Sequence, residues 1–317
     1  MQFLSSVGSS MMTMRTRVAD KVDDWRADIL EGGSGVKLLL ALLVVVLIGS
    51  AILGVLWSSE PKVFSVRDAL ALQSAQADNA GRPLTGVATT TTLIRVASTM
   101  LEKTGGFISN DIAPPGVWLD NIPNWEYGVL IQTRDLSKAM REAFSRSQSQ
   151  STEDNDLALA ESRFNFDSDS WAVPASESEY KEGIKFLNGY LQRLTDADLH
   201  NAQFYARADN LRYWLSTVET RLGSLSQRLS ASVGQRRLNT DLAGEERAKR
   251  STAAPAEMVI KTPWSEIDDV FYEARGSAWA LLHFLKAIEV DFADTLEKKN
   301  ARVSLQQIIR ELEATQE

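Results

Sequence analysis

LLLALLVVVLIGSAILGVLW, residues 38–57, is a run of twenty residues with no charge and one hydroxyl, Ser50. At 1.5 Å rise per residue it makes a helix about 30 Å long, the thickness of a bilayer's hydrocarbon core. It is apolar on every face, whereas a helix resting on a soluble core keeps a polar side. The stretch reads as a transmembrane helix, with the lipid bilayer as its partner over Leu38 to Trp57. A cleaved signal peptide would need a short basic lead, an apolar run of roughly 7 to 15 residues and a small-x-small site. Here lead and run are both longer, and Glu60, Pro61 and Lys62 close the run without an Ala-x-Ala. An uncleaved signal anchor is therefore expected.

Lys21, Arg26 and Lys37 lie within about 20 residues before the anchor, against Lys62 and Arg67 after it, a small excess that favours an N-inside orientation. Residues 1–37 hold five bases and five acids, so the whole net charge of −8 sits after the anchor. Such an acidic tail carries no nucleic-acid footprint and is repelled by anionic lipid, which favours a protein or peptidoglycan neighbour; a protein partner in the cell envelope is expected. With no cysteine among 317 residues, disulfides, thiolate catalysis and Cys-held metals are excluded together. Of the two histidines, His200 has no partner motif, and His283 stands one turn from Trp279 as a core or boundary residue. No phosphate-binding glycine loop occurs. No catalytic residue, metal ligand or cofactor site is assigned.

Outward from the anchor, the head (1–35) carries Met14, Val18, Val22, Trp25 and Ile29 at helical spacing, a juxtamembrane amphipathic helix. Within the anchor (36–57), Ser50 and Gly54 form a small-xxx-small pair of the kind that lets two helices approach. Residues 58–65 read as a tether, and 66–317 as a mainly helical extracytoplasmic domain. Its first helices begin after Ser65 and at about Ala88, the latter with a β-branched opening, Thr89 to Thr92, that starts a helix poorly.

Residues 105–126, GGFISNDIAPPGVWLDNIPNWE, read as one long irregular stretch, too apolar for a solvated linker. Two readings stand: a plug folded onto a bundle end, or a partner-binding surface made by Trp118, Asp120, Asn121 and Trp125. A helix is expected from Tyr127 to about Arg146. The Ser-, Gln- and Asp-rich residues that follow read as an exposed excursion with a short helical turn around Asp156 to Arg163, and no acidic run in it has the EF-hand pattern of a calcium site. Another helix opens at Ala175 to Glu179, with acids in its first turn.

The most regular pattern comes next. Phe204, Ala208, Leu211, Leu215, Val218, Leu222, Leu225 and Leu229 alternate spacings of 4 and 3, a bundle or coiled-coil seam on a helix over about Asn201 to Val233. Residues 234–261 read as a mobile charged linker. Thr262, Pro263 and Glu266 make a good helix start, and Ile267, Phe271, Ala274, Ala278, Leu281, Leu285 and Ile288 form a second seam, expected to pack antiparallel on the first. The ending ELEATQE has no Gly, Pro or cap and reads as a helix that runs on past Glu317.

Three stretches, GVWLDNIPNWEYGVL (116–130), RADNLRYWLSTVETRLGSLSQRL (207–229) and TPWSEIDDVFYEARGSAWALLHFLKAIEVDF (262–292), lie in order behind one signal anchor. In this the chain resembles, over essentially its whole length, the proteobacterial family known as domain of unknown function 2333. The resemblance implies an inner-membrane envelope protein, assigns no activity and transfers no site residue.

The expected architecture is all-α: one N-terminal transmembrane helix, N-terminus cytoplasmic, then an elongated periplasmic bundle of long amphipathic helices. The expected role is a membrane-anchored scaffold or accessory subunit without catalysis. Two alternatives stand beside it: an envelope-polymer hydrolase using carboxylates near 105–126, such as Asp111, Asp120 and Glu126, and a homo-oligomer associating through the anchor and the 204–229 seam.

Overall fold

The computed structural model describes residues 34–76, 84–147, 152–196, 201–238 and 257–317. The head helix, His200 and most of the 234–261 linker lie outside them. The chain divides into two compact units, residues 1–55 and 56–317. Helix α1, Ser34–Trp57, accounts for the described part of the first. Among the described residues it is the one helix long and apolar enough to cross a membrane, and most of its side chains stand exposed.

Among its described residues the second unit is all-α apart from one pair of strands. Its helices are α2 (Val66–Gln76), α3 (Val87–Glu102), α4 (Asn121–Ala139), α5 (Asn155–Phe164), α6 (Ser176–Thr195), α7 (Ala208–Ser232), α8 (Ile267–Asp291), α9 (Ala293–Lys298) and α10 (Arg302–Ala314). A π-helical turn, Met140–Phe144, prolongs α4. Strands β1 (Gln235–Leu238) and β2 (Glu257–Ile260) pair antiparallel, Gln235 opposite Ile260. They occupy the two ends of the expected linker. QRRL has no apolar alternation, so this ribbon satisfies backbone groups without a buried face.

At the centre of the unit is α8. Residues 276–285, GSAWALLHFL, are buried without interruption, so this segment is enclosed on all faces, where a one-sided seam was expected. Its most extensive partner is α4, not the long seam helix α7. The cause is a pair of glycines. A Cβ on Gly128 would stand 2.2 Å from the carbonyl oxygen of Glu273, and one on Gly276 would stand 2.0 Å from that of Trp125. With hydrogen at both positions the two backbones touch, and the Ser277 hydroxyl donates to the Gly128 carbonyl at 3.2 Å. Beside the crossing, the Trp125 and Trp279 rings lie 5.2 Å apart.

Three boundaries differ from expectation. Helix α4 starts at Asn121, six residues early, because Asp120 accepts the Asn121 N–H as a cap and Pro123 falls in the first turn, where no amide donor is needed. Helix α7 starts at Ala208, not Asn201: Phe204 is held between the rings of Phe144 and Phe292, and the Tyr205 N–H bonds to the Phe144 carbonyl at 2.7 Å, which keeps residues 201–207 out of the helix. Helix α8 begins at Ile267 behind a 3₁₀ turn, Trp264–Glu266, with no side-chain cap from Thr262.

Long-range polar contacts complete the unit. Asp291, the last residue of α8, accepts the N–H groups of Gly86 and Thr89 at 2.8 and 2.7 Å, capping α3 and overcoming its β-branched start. Residues 58–65, read as a tether, contact the helical unit through two side chains. Glu60 pairs with Arg275 at 2.9 Å, and Phe64 stacks on His283 with centroids 3.9 Å apart.

Alanine at Gly128 or Gly276 gains helix propensity, roughly 1 kcal/mol, but its methyl meets a carbonyl that cannot move without parting the helices. The expected outcome is a net loss of about 3 kcal/mol or more for either variant, read by denaturant titration. The same change at Gly223, where nothing lies within 4 Å, should be neutral or stabilising.

Candidate functional site

The residues between α3 and α4 are organised by one buried ion pair. Lys103, at the end of α3, meets Glu126 of α4, with their side chains 2% and 0% exposed. Lys103 also donates to the Gly106 carbonyl. The Glu126 carboxylate accepts the N–H groups of Ile108 and Ser109 at 2.9 and 2.8 Å and the Ser109 hydroxyl. Burial pushes Glu126 up from the ordinary carboxylate range, and Lys103 and these donors pull it back. All of its bonds face inward, so a residue considered as a hydrolytic acid is a clamp that folds the loop.

The clamp divides the stretch. Phe107 and Ile108 are buried in the core, while Ile112, Val117 and Trp118 stand out from it, Trp118 55% exposed on a 3₁₀ turn, Gly116–Trp118. One half of the segment is a plug and the other a surface. Of the four expected surface residues, Trp118 and Asp120 are exposed and Asn121 is half-buried with its Oδ1 unpartnered. Trp125 is 0% exposed in the core. It is corrected out of the surface, because its position one turn into α4 turns it toward Trp279.

A second segment joins this surface. The Asn124 amide donates to Asp269 at 2.8 Å and to the Asp120 carbonyl at 3.0 Å, tying the loop to the start of α8. There Trp264 is 89% exposed and Phe271 is exposed too. Burial, then the charges of Asp120, Asp268 and Glu266, hold Asp269 above the usual carboxylate range. The region is therefore aromatic and anionic. The signal for its second half was present in TPWSEIDDVF, two aromatics and three acids, but those residues also spell a helix start, and that reading absorbed them.

The seam residues divide likewise. Leu211, Val218 and Leu225 are buried, Phe204 and Leu222 are partly buried against the core, and Leu215 and Leu229 are exposed. The deepest residue of α7 is Trp214, outside the expected seam, because the helix turns its 211, 214, 218 and 225 positions inward. Leu215 lines an open groove of about 350 Å³ shared with Leu296.

Other ionisable groups serve the fold. Asp111 is raised by burial and by the charge of Glu177, whose carboxylate accepts the Asn110 amide at 2.7 Å. Among the described residues, no group of three His, Cys, Asp or Glu is arranged to hold a metal. His283 is buried; its Nδ1 lies 2.7 Å from the Trp279 carbonyl and its Nε2 accepts the Phe64 N–H at 3.1 Å. One nitrogen must donate and the other accept, which is the neutral ring, and burial lowers its pKa to about 4.

Residues 31–317 match the family described as an uncharacterized protein conserved in bacteria, domain of unknown function 2333, and the chain belongs to it. No curated protein and no solved structure matches the chain.

Replacing Lys103 with Met strands the Glu126 carboxylate in the core, and a loss of about 3–5 kcal/mol is expected. Lys103→Met combined with Glu126→Gln should cost clearly less than the two single changes added together, as a denaturation double-mutant cycle would show. For His283 the folded pKa lies below the unfolded value, so its contribution is complete above about pH 6.5 and is lost as pH falls toward about 4. At pH 5.5 the wild type should have lost about 1 kcal/mol that His283→Gln does not lose, measured as the difference between their pH–stability profiles.

Proposed function

For this family member we propose a membrane-anchored scaffold or accessory subunit of a cell-envelope complex, which holds another protein through the Trp118 surface. Leu38 to Trp57 lie in the bacterial inner membrane, the head faces the cytoplasm, and the helical unit faces the periplasm. The twenty-residue uncharged run and the small basic excess before it support this placement.

One observation carries the binding reading: Trp118 is exposed on a turn whose two flanks are locked, by the Glu126 clamp before it and by the Asp120 cap after it. A large aromatic held in a fixed pose loses little entropy on binding and makes an effective anchor. The acids Asp120, Glu266, Asp268 and Asp269 favour a partner segment that combines apolar side chains with Lys or Arg. Hydrolysis is the weaker reading, since Glu126 is enclosed and committed to Lys103.

The test is crosslinking in the native host, solubilisation of the full chain in mild detergent and identification of what co-purifies. Trp118→Ala should weaken a captured partner by about thirtyfold, the effect of losing a 2 kcal/mol hot spot. Trp171→Ala, which removes another exposed tryptophan, should leave it intact. Capture that is indifferent to Trp118, or no capture from wild type, would sink the proposal.

A further inference from the structure

Residues 57–66 show at which end of the helical unit the chain arrives from α1. Trp57, the last residue of the apolar run, lies so close to Gly105 that a Cβ there would stand 2.7 Å from its ring. Farther on, Phe64 lies under the Arg95 guanidinium, 5.2 Å from the ring centroid, and Val66 packs with Ala88 and Ala287. The chain thus climbs α3 from its C-terminal end toward its N-terminal end. The end it starts from also holds the loops that lead into α4 and α6, because Phe107 packs on Tyr180 with ring centroids 5.6 Å apart.

Those two loops carry apolar surface that the fold leaves uncovered. Ile112, Ala113 and Pro114 form one exposed run, and Trp171, Ala172, Val173 and Pro174 form another. Single exposed apolar residues are ordinary, but unbroken runs are avoided unless something covers them. Neither loop is slack. The Asn110 amide donates to the Ser170 carbonyl at 2.8 Å and to Glu177 at 2.7 Å, which joins the two loops. The Ser176 N–H donates to the same Ser170 carbonyl at 2.9 Å, and the Ser170 hydroxyl donates to the Pro174 carbonyl at 2.8 Å. Residues 171–174 are thereby closed into a fixed projection.

We infer that these runs make a second contact with the bilayer: residues 112–114 and 171–174 enter the headgroup region of the membrane that holds α1. The inference rests on the membrane placement proposed above and uses none of the Trp118 surface. What favours lipid over a protein partner is continuity. The chain leaves the hydrocarbon at Trp57, and Trp57 packs at the end of the unit that bears both runs. Their content fits as well. A tryptophan has an apolar body and a polar edge and settles at the membrane–water boundary, and neither run holds a charge that would lose its water. Asp111, Asp167 and Asp169 stand beside the runs and repel anionic headgroups. The contact therefore comes from apolar burial and persists at high salt, unlike a polybasic attachment. A fixed projection also gives up little entropy on insertion.

The chain has no cysteine, so a single introduced thiol reports one position. The test places the full-length protein, with Val173→Cys carrying a nitrobenzoxadiazole dye, in phosphatidylcholine nanodiscs. Quenching by nitroxides on the lipid acyl chains is compared with quenching by aqueous iodide. Leu47→Cys in α1 is one reference. Val303→Cys is the other, exposed on α10 and held near the C-terminal end of α8 by the Arg302–Glu289 pair. The label at 173 should be quenched by the lipid nitroxides and shielded from iodide at low and high salt, and the label at 303 should show the reverse. Adding Trp171→Glu should return the label at 173 to iodide. A label at 173 in water while the label at 47 is in lipid overturns this inference and leaves the anchor standing, the result expected if a protein partner covers the runs. A label at 47 in water overturns both.

Discussion

The close approach of α4 and α8 at Gly128 and Gly276 is the constraint on which the other contacts of the helical unit depend. Two helices normally keep 8–10 Å between their axes because side chains stand between them. Here hydrogen replaces a side chain on both partners, and each backbone lies against the other's carbonyls. On one side of the crossing the space is filled by Trp125, Trp279 and Phe64. On another it is left as an open cavity between α4, α7 and α8. With both helices pinned, α8 can be enclosed by its neighbours over the ten residues from 276 to 285.

From that frame the exposed aromatic surface follows. Helix α4 sets Glu126 inside the unit, and the carboxylate reaches back to Lys103, Ile108 and Ser109, folding the intervening chain onto the core. An isolated ion in that position would be costly, and it is tolerated because an ammonium and three further donors surround it. The segment's remaining apolar side chains cannot follow Phe107 and Ile108 inward once the clamp closes. Trp118 is left outside on a short, fixed turn, and Asn124 ties that turn to the acidic start of α8. Stability and presentation thus share one cause.

Polar side chains also join parts of the chain that no hydrophobic pattern links. Asp291 caps α3, His283 accepts the Phe64 N–H, Arg275 holds Glu60, and Arg228 holds Glu273. Each relies on geometry more than on charge attraction, which solvent weakens for the half-exposed arginines. His283 shows the cost of such use: its ring serves as donor and acceptor together only while neutral, which ties the docking of residues 58–65 to pH.

By itself the sequence determined what depends on local composition and period. An uncharged twenty-residue run is long enough to span a bilayer wherever it lies, and spacings of 3 and 4 make helices whatever they pack on, so the apolar anchor and the all-α class were legible. The unbroken apolar character of GSAWALLHFL was on the page as well. Only the tertiary structure decided partnership. Periodicity says that a helix has an apolar face but not which helix covers most of it, so α7 and α8 do meet as expected, but the glycine-mediated pairing of α4 with α8 is the more extensive. Trp118 and Trp125 lie in one polar and aromatic stretch that read as irregular throughout. One is outside and the other in the core because Pro123 and the Asp120 cap start α4 between them. Glu126 reads as one acid among several until folding brings Lys103 to it, and the exposed runs at 112–114 and 171–174 are joined only by the tertiary bond from Asn110 to Ser170.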